Sequence, residues 1–243
     1  MIRATAVYLF VAIYVLLLGP VGLIWTALSR DPGFSYRLAR CCIRAAGWMG
    51  GIRVRVRGRE KVPADRNCLF LSNHQGNLDG PILFYATGRD VRALVKQEMM
   101  RIPLLSAVLR QVHFVPIDRR DPVRARAAID RAAERLRGGL PFIAFPEGTR
   151  SRDGRLGPFK KGVFVMAIRA QVPVVPVTIN HSRAVQPPGS YAIRPGVVDL
   201  LFHDPIPTEG MTEADRDELA QRTRAAIASA LSEPAADSRA CAP

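Results

Sequence analysis

His74 and Asp79 stand five residues apart in the stretch Leu-Ser-Asn-His-Gln-Gly-Asn-Leu-Asp at positions 71–79. Imidazole titrates near neutrality, so His74 is a candidate general base. A carboxylate turned back onto one ring nitrogen would fix the tautomer and stabilise the imidazolium formed when the other nitrogen takes a proton. Asp79 is the candidate for that part. No serine or cysteine nucleophile accompanies the pair, and Ser72 belongs to no G-x-S-x-G elbow. A base without a protein nucleophile implies direct activation of a substrate hydroxyl. On spacing alone, a loop histidine near a helix-capping aspartate accounts for the same residues.

Two further clusters carry charge at the ends of apolar runs. Phe-Pro-Glu-Gly-Thr-Arg-Ser at 145–151 follows Pro141–Phe145. Gly148 permits a tight turn, the backbone N–H groups after it can face an anion, and Arg150 can make a forked contact to phosphate. Glu147 can accept hydrogen bonds from polyol hydroxyls. An ordinary turn with a salt bridge is the plainer alternative. Phe-Val-Pro-Ile-Asp-Arg-Arg at 114–120 runs a strand into Asp118, Arg119 and Arg120, with Arg119 favoured over Arg120 as an anion contact. In a parallel sheet all three clusters leave strands at one edge, where α/β domains place their sites.

The elements that must position them are short apolar runs alternating with helical stretches. Strands are predicted at Ile52–Val56, Asn67–Leu71, Ala93–Val95, His113–Ile117, Pro141–Phe145, Val172–Ile179 and Val197–Phe202. Several are unbroken rather than alternating, as expected for strands covered on both faces. Asp121-Pro122 opens a helix that Gly138-Gly139 ends, with an N-cap, a proline in the first turn and glycines past the end. Residues 162–170 read as a short helix. A last helix opens at Thr212, with Asp215 three residues on as a capping-box variant, and runs to about Leu231. This pattern implies one α/β domain over 51–232, a mostly parallel or mixed sheet flanked by helices. An N-terminal membrane-binding helical element precedes it at 1–50, and a disordered tail follows at 233–243.

From Ala4 to Leu28 there is no charged residue, enough length at 1.5 Å per residue to cross a hydrocarbon core of about 30 Å. Arg30, Arg37, Arg40 and Arg44 follow it, which places the downstream catalytic domain on the cytoplasmic face. A cleaved signal peptide, a buried core helix and a re-entrant hairpin are rival readings; Gly19-Pro20, near the middle, is where a hairpin would break. Residues 34–50 are amphipathic, with Phe34, Leu38, Cys41, Ala45 and Trp48 on one side and Arg37, Arg40 and Arg44 on another. That suits either a helix at the lipid interface or one packed on the domain with its arginines in water.

The net charge of +14 favours anionic partners, and 48% hydrophobic residues leave room for a lipid-facing element. No nucleic-acid reader motif or aromatic stacking run is present, and aromatics are only 7%. Cys41, Cys42, Cys68 and Cys241 form no C-x-x-C pair, and His113, His181 and His203 lack ligand-like spacing. Neither a metal site nor a disulfide framework is expected.

Taken together, NHQGNLD, FVPIDRR and FPEGTRS, in that order, resemble the glycerolipid acyltransferases. ALVKQEMMRIPLLSAVLRQ at 93–111 and VPVVPVTI at 172–179 also resemble connecting blocks of that family, so the likeness covers about residues 52–205. The resemblance implies that His74 and Asp79 form a His-x4-Asp catalytic pair. It implies that Arg119, Glu147, Gly148, Thr149 and Arg150 help hold a glycerol phosphate, with Lys96 as a further phosphate contact. The implied reaction moves an acyl group from acyl-CoA or acyl carrier protein to the sn-2 hydroxyl of 1-acylglycerol-3-phosphate, a lysophospholipid of the bilayer, without metal or organic cofactor. The alternatives are another lysolipid acceptor, such as lyso-ornithine lipid, or a non-catalytic basic lipid-binding protein of the membrane surface. Position 76 departs from the family: it is Gly where many members carry Ser.

Overall fold

A computed structural model describes residues 2–151 and 153–232. The tail expected at 233–243 lies outside the described residues. Seven strands form one sheet in the order β1-β7-β6-β2-β5-β3-β4. They are β1 (Ile52–Arg57), β2 (Leu69–Ser72), β3 (Arg92–Lys96), β4 (Val115–Ile117), β5 (Phe142–Ala144), β6 (Val174–Asn180) and β7 (Gly196–Phe202). Each falls on one of the seven apolar runs. The neighbours β6-β2-β5-β3-β4 are all parallel, β6 and β7 are antiparallel, and β1 and β7 are parallel to each other. The sheet is therefore mixed, and the unit that brings several strand ends to one edge is its parallel part.

The unbroken apolar runs have the burial their composition implies. Leu69, Phe70, Leu71, Val174, Val175, Val177 and Ile179 are all fully buried. Each such side chain contributes about 1.5–3 kcal/mol over its exposed state. One face of the sheet packs against α5 (Pro122–Arg137), α6 (Gly162–Ala170) and α8 (Arg216–Ser229), through Ile129, Leu136, Phe164, Met166 and Leu219. The other packs against α2 (Gly33–Gly50) and α3 (Asp79–Thr87), through Tyr36, Ile82, Leu83 and Phe84. Asp121 caps α5 by accepting from the N–H groups of Val123 and Arg124. Thr212 and Asp215 form the reciprocal capping box, across a single 3-10 turn that leads into α8.

The N-terminal helix α1 (Ile2–Ser29) runs unbroken through Pro20. No hairpin forms at Gly19-Pro20, so the break that a re-entrant reading requires is not there. Leu104 of α4 (Pro103–Gln111) lies within ordinary van der Waals reach of Gly19, beside the proline whose missing N–H leaves one helical hydrogen bond unmade. Gln111 donates to the carbonyl of Leu23 at 2.8 Å in the same contact. After a turn at Arg30–Pro32 the chain reverses into α2, which packs along α1. Tyr14 donates to the Leu38 carbonyl, and the rings of Trp25 and Phe34 lie 5.5 Å apart. The domain-facing side of α2 carries Tyr36, whose hydroxyl reaches the Val112 carbonyl, and Arg40, paired with Asp90 at 2.7 Å. Leu16, Leu17 and Leu28 of α1 remain 66%, 63% and 81% exposed, and Trp48 of α2 is 83% exposed. Among the described residues α1 is the one helix long and apolar enough to cross a membrane.

Candidate active site

The turn that carries His74 leaves the C-terminal end of β2 and enters α3, and hydrogen bonds tie it down. Asn73 imitates a strand residue: its amide donates to the Ile179 carbonyl and its carbonyl oxygen accepts from the Ile179 N–H, both at 2.8 Å. This anchors the turn to β6. Asp79, fully buried, is the first residue of α3. One carboxylate oxygen, Oδ2, accepts from the backbone N–H groups of Gln75 (2.6 Å) and Gly76 (2.7 Å) and lies 2.8 Å from His74 Nδ1. An ionised carboxylate only accepts, so Nδ1 carries the proton and Nε2 is left with a free lone pair. The position of Asp79 in the first helical turn also favours its negative charge.

Gly76 is explained by its neighbour. A Cβ there would sit 3.0 Å from the carbonyl oxygen of Ser182, at the start of the short helix α7 (Ser182–Val185). The departure from serine at this position thus fits a close approach of backbone, and it leaves the His74–Asp79 contact intact.

The second cluster folds over the first. The His74 ring stacks on Phe145 at 4.1 Å, with 19° between the planes. Glu147, almost fully buried, is held by two backbone donors, the His74 N–H on Oε1 (2.8 Å) and the Gly157 N–H on Oε2 (2.9 Å). Burial pushes its carboxyl above the usual carboxylate range, and those two N–H groups pull it part of the way back. The Ser151 N–H donates to the His74 carbonyl at 2.7 Å, and Gln75 Nε2 reaches the Gly154 carbonyl at 2.9 Å. Gly148 turns with φ of +72°, and a Cβ there would strike the stem of Lys160 at 2.8–2.9 Å.

The cations stand at the open side. Arg119, just past β4, donates to the Gly148 carbonyl. Thr149 and Arg150 are exposed and line a shallow cavity of about 520 Å³ together with Glu147. Lys96, at the end of β3, is exposed and pairs with Glu98 at 3.3 Å. A second cavity of about 370 Å³ opens beside Arg119 and Gly148, with Leu94, Ile117, Ile129 and Val163 among its walls. The structure therefore joins His74, Asp79 and Glu147 through direct hydrogen bonds. Arg119 and Gly148 form a second contact, and Lys96, Thr149 and Arg150 make no bond to either group.

Phe145, Ser151 and Gly157 escaped the sequence reading as partners of the site. Phe145 and Ser151 stand inside the FPEGTRS block and were open to inference; Gly157 acts through its backbone N–H, which leaves no mark in the sequence. Among the described residues no cluster of three or more His, Cys, Asp or Glu side chains has the arrangement of a metal site.

The geometry is that of a buried carboxylate holding a histidine, with no nucleophilic side chain bonded to it. The fold and sequence around it place the chain in a known family: residues 53–180 match the acyltransferase family model, and the chain belongs to that family. A 1-acyl-sn-glycerol-3-phosphate acyltransferase of Brassica napus, BAT2, is 38% identical over 153 residues, 62% of this chain and 44% of that protein. This chain thus spans less than half the length of that relative. The human 1-acyl-sn-glycerol-3-phosphate acyltransferase alpha is 29% identical, over 84% of this chain and 72% of its own. The crystal structure of the 1-acyl-sn-glycerophosphate acyltransferase PlsC from Thermotoga maritima superposes with a TM-score of 0.78 at 28% identity, covering 96% of this chain and 97% of that one.

Proposed function

We propose that this chain transfers a fatty acyl group from acyl-CoA or acyl carrier protein to the sn-2 hydroxyl of 1-acylglycerol-3-phosphate, giving phosphatidic acid. The observation that carries the reading is the His74 Nδ1–Asp79 Oδ2 contact of 2.8 Å, which leaves Nε2 basic on a side chain still 20% exposed. In this mechanism Nε2 takes the proton of the acceptor hydroxyl as its oxygen attacks the thioester carbonyl. The tetrahedral intermediate then collapses, the C–S bond breaks, and the departing thiolate recovers the proton from the imidazolium. Asp79 orients the ring and stabilises its charged form. Glu147, both of whose oxygens hold backbone N–H groups, is a positioning residue for His74.

Arg119, Arg150 and Lys96, with Gly148 and Thr149, hold the acceptor phosphate and fix its hydroxyl against the base. The apolar walls of the 370 Å³ cavity suit an acyl chain. The exposed apolar side of α1 and Trp48 support binding to a membrane, where acceptor and product reside. The arginines after α1 support a catalytic domain on the cytoplasmic face.

The test is transfer of a labelled acyl group from each thioester donor to 1-acylglycerol-3-phosphate and to the matching monoacylglycerol. The account expects phosphatidic acid as product and at least about tenfold lower kcat/KM without the phosphate, the scale of a lost charge-assisted contact. Equal rates with both acceptors would overturn phosphate recognition. Turnover confined to a different lysolipid would overturn the acceptor assignment.

A further inference from the structure

The chain between Lys96 and α4 presents a feature that the reaction does not use. Residues Gln97–Arg101 form a 3-10 turn, Ile102 follows in extended conformation, and Pro103 starts α4. Here Leu109 is buried, but Met99 and Ile102 are 36% and 55% exposed. Pro103 is exposed with them, giving one apolar tip. Arg101 adjoins it and is exposed, and among the described residues it has no acidic partner.

Two observations say what covers this tip. It is continuous with α1: Leu104 packs on Gly19, and Gln111 is bonded to Leu23, so α4 lies along the helix whose outer side is exposed leucine and isoleucine. It also borders the cation side of the site, because Glu98 lies close enough to Arg119 and Arg120 for their charge to act between them. An apolar tip beside an unpaired arginine matches a lipid monolayer, with hydrocarbon for Met99 and Ile102 and headgroup phosphate for Arg101.

We propose that Met99, Ile102 and the start of α4 form a second lipid-contacting surface, a lip that inserts beside α1 and joins the bilayer to the phosphate-binding side of the site. This rests on the reading of α1 as a membrane-binding helix and of the acceptor as a lysolipid. The lysolipid then reaches Arg119 and Lys96 by lateral movement over Met99 and Ile102, without its acyl chain crossing water.

The test has two independent readouts on the full chain. In the first, hydrogen exchange is followed in detergent-free protein bound to phosphatidylglycerol vesicles and compared with protein in a neutral detergent. Amides of 99–105 are expected to slow at least about tenfold on vesicles, while those of 131–137 on α5 stay unchanged; equal exchange at 99–105 in both would overturn the proposal. This arm needs no turnover, so it stands apart from the proposed reaction. In the second, the Met99→Glu/Ile102→Glu chain is compared with wild type and with Met99→Leu/Ile102→Leu. Transfer to a vesicle-borne acceptor should fall about tenfold for the glutamate variant alone. Transfer to a short-chain acceptor dissolved as monomer should stay within about twofold. An equal fall with both acceptors would make the segment part of the fold or the phosphate site and overturn the lip. So would unchanged transfer from vesicles, or a concentration-dependent dimer that the glutamates abolish.

Discussion

The charged residues of the site divide into two regions built on opposite terms. Asp79 and Glu147 are buried, and their bonded oxygens are held by the backbone N–H groups of Gln75, Gly76, His74 and Gly157. Lys96, Arg119, Thr149 and Arg150 stand at the surface, and Lys96 is paired only with Glu98 among the described residues. Hydrogen bonds replace water on three of these four carboxylate oxygens, Asp79 Oδ1 being buried without a partner among the described residues, so that half is largely fixed by its backbone donors. Arg150, exposed and without a partner among the described residues, keeps its hydration and rotamer freedom, whereas Arg119 is partly desolvated and bonded to the Gly148 carbonyl. On the proposed reaction, this contrast assigns the rate of the chemical step to the carboxylate half and the affinity for the acceptor to the cation half.

The largest effect should come from the centre of the fixed half. Asp79→Asn should lower kcat about 10³-fold with KM for the acceptor changed less than about threefold, because the ring loses the charge that orients it. A rise in KM without a fall in kcat would erase the division. Glu147→Ala should lower kcat by about one to two orders of magnitude, the loss expected when the charge-assisted bond to the His74 N–H and the one that ties it to Gly157 are removed. If it raised KM instead, Glu147 would belong with the acceptor-binding residues. Arg150→Ala should raise KM for 1-acylglycerol-3-phosphate about tenfold and leave kcat within about threefold. The rise should vanish with an acceptor that lacks phosphate; its persistence would remove Arg150 from phosphate binding.

The smallest effect lies outside both regions and measures the fold that carries them. Thr178 gives its hydroxyl proton to the Ile227 carbonyl, so His203 Nε2, 2.8 Å away, donates to Thr178 as a neutral ring. Burial, with Lys61 adding to it, holds the His203 pKa below its ordinary value. Below about pH 6.5 the unfolded chain takes up a proton that the folded chain refuses, so stability falls as pH falls from there toward the folded value. His203→Gln should flatten the fall in Tm between pH 7 and 5 without abolishing it. His113, also depressed chiefly by burial, titrates in the same direction. An unchanged slope would mean that His203 is solvated in the folded chain.

Much of this architecture was legible because it rests on side chains. Val172–Ile179 reads as a covered strand, and β6 occupies Val174–Asn180 with all but its last residue buried. Asp121-Pro122 and Gly138-Gly139 bracket a helix that runs from Pro122 to Arg137. The pairing of His74 with Asp79 was open to either a catalytic or a capping reading until the three motif blocks were taken together. What stayed hidden was decided by backbone or by distant packing. Glu147 reads as a sugar-like hydroxyl acceptor, yet its partners are the peptide groups of residues 74 and 157, which any sequence would supply. A hairpin break at Gly19-Pro20 is one of the rival readings, yet α1 continues through it, packed against the next helix α2 and near Leu104 from further along the chain. Helix α4 lies inside the stretch 93–111, which reads only as a connecting block of the family.

The central claim is that His74, held by Asp79, removes the proton from the acceptor hydroxyl. The most direct measurement is acyl transfer from a labelled thioester to 1-acylglycerol-3-phosphate in liposomes, wild type against His74→Ala, with KM and kcat determined separately. The account predicts a fall in kcat of at least about a hundredfold with KM for the acceptor nearly unchanged, the scale of a lost general base. Turnover undiminished by the substitution would contradict it.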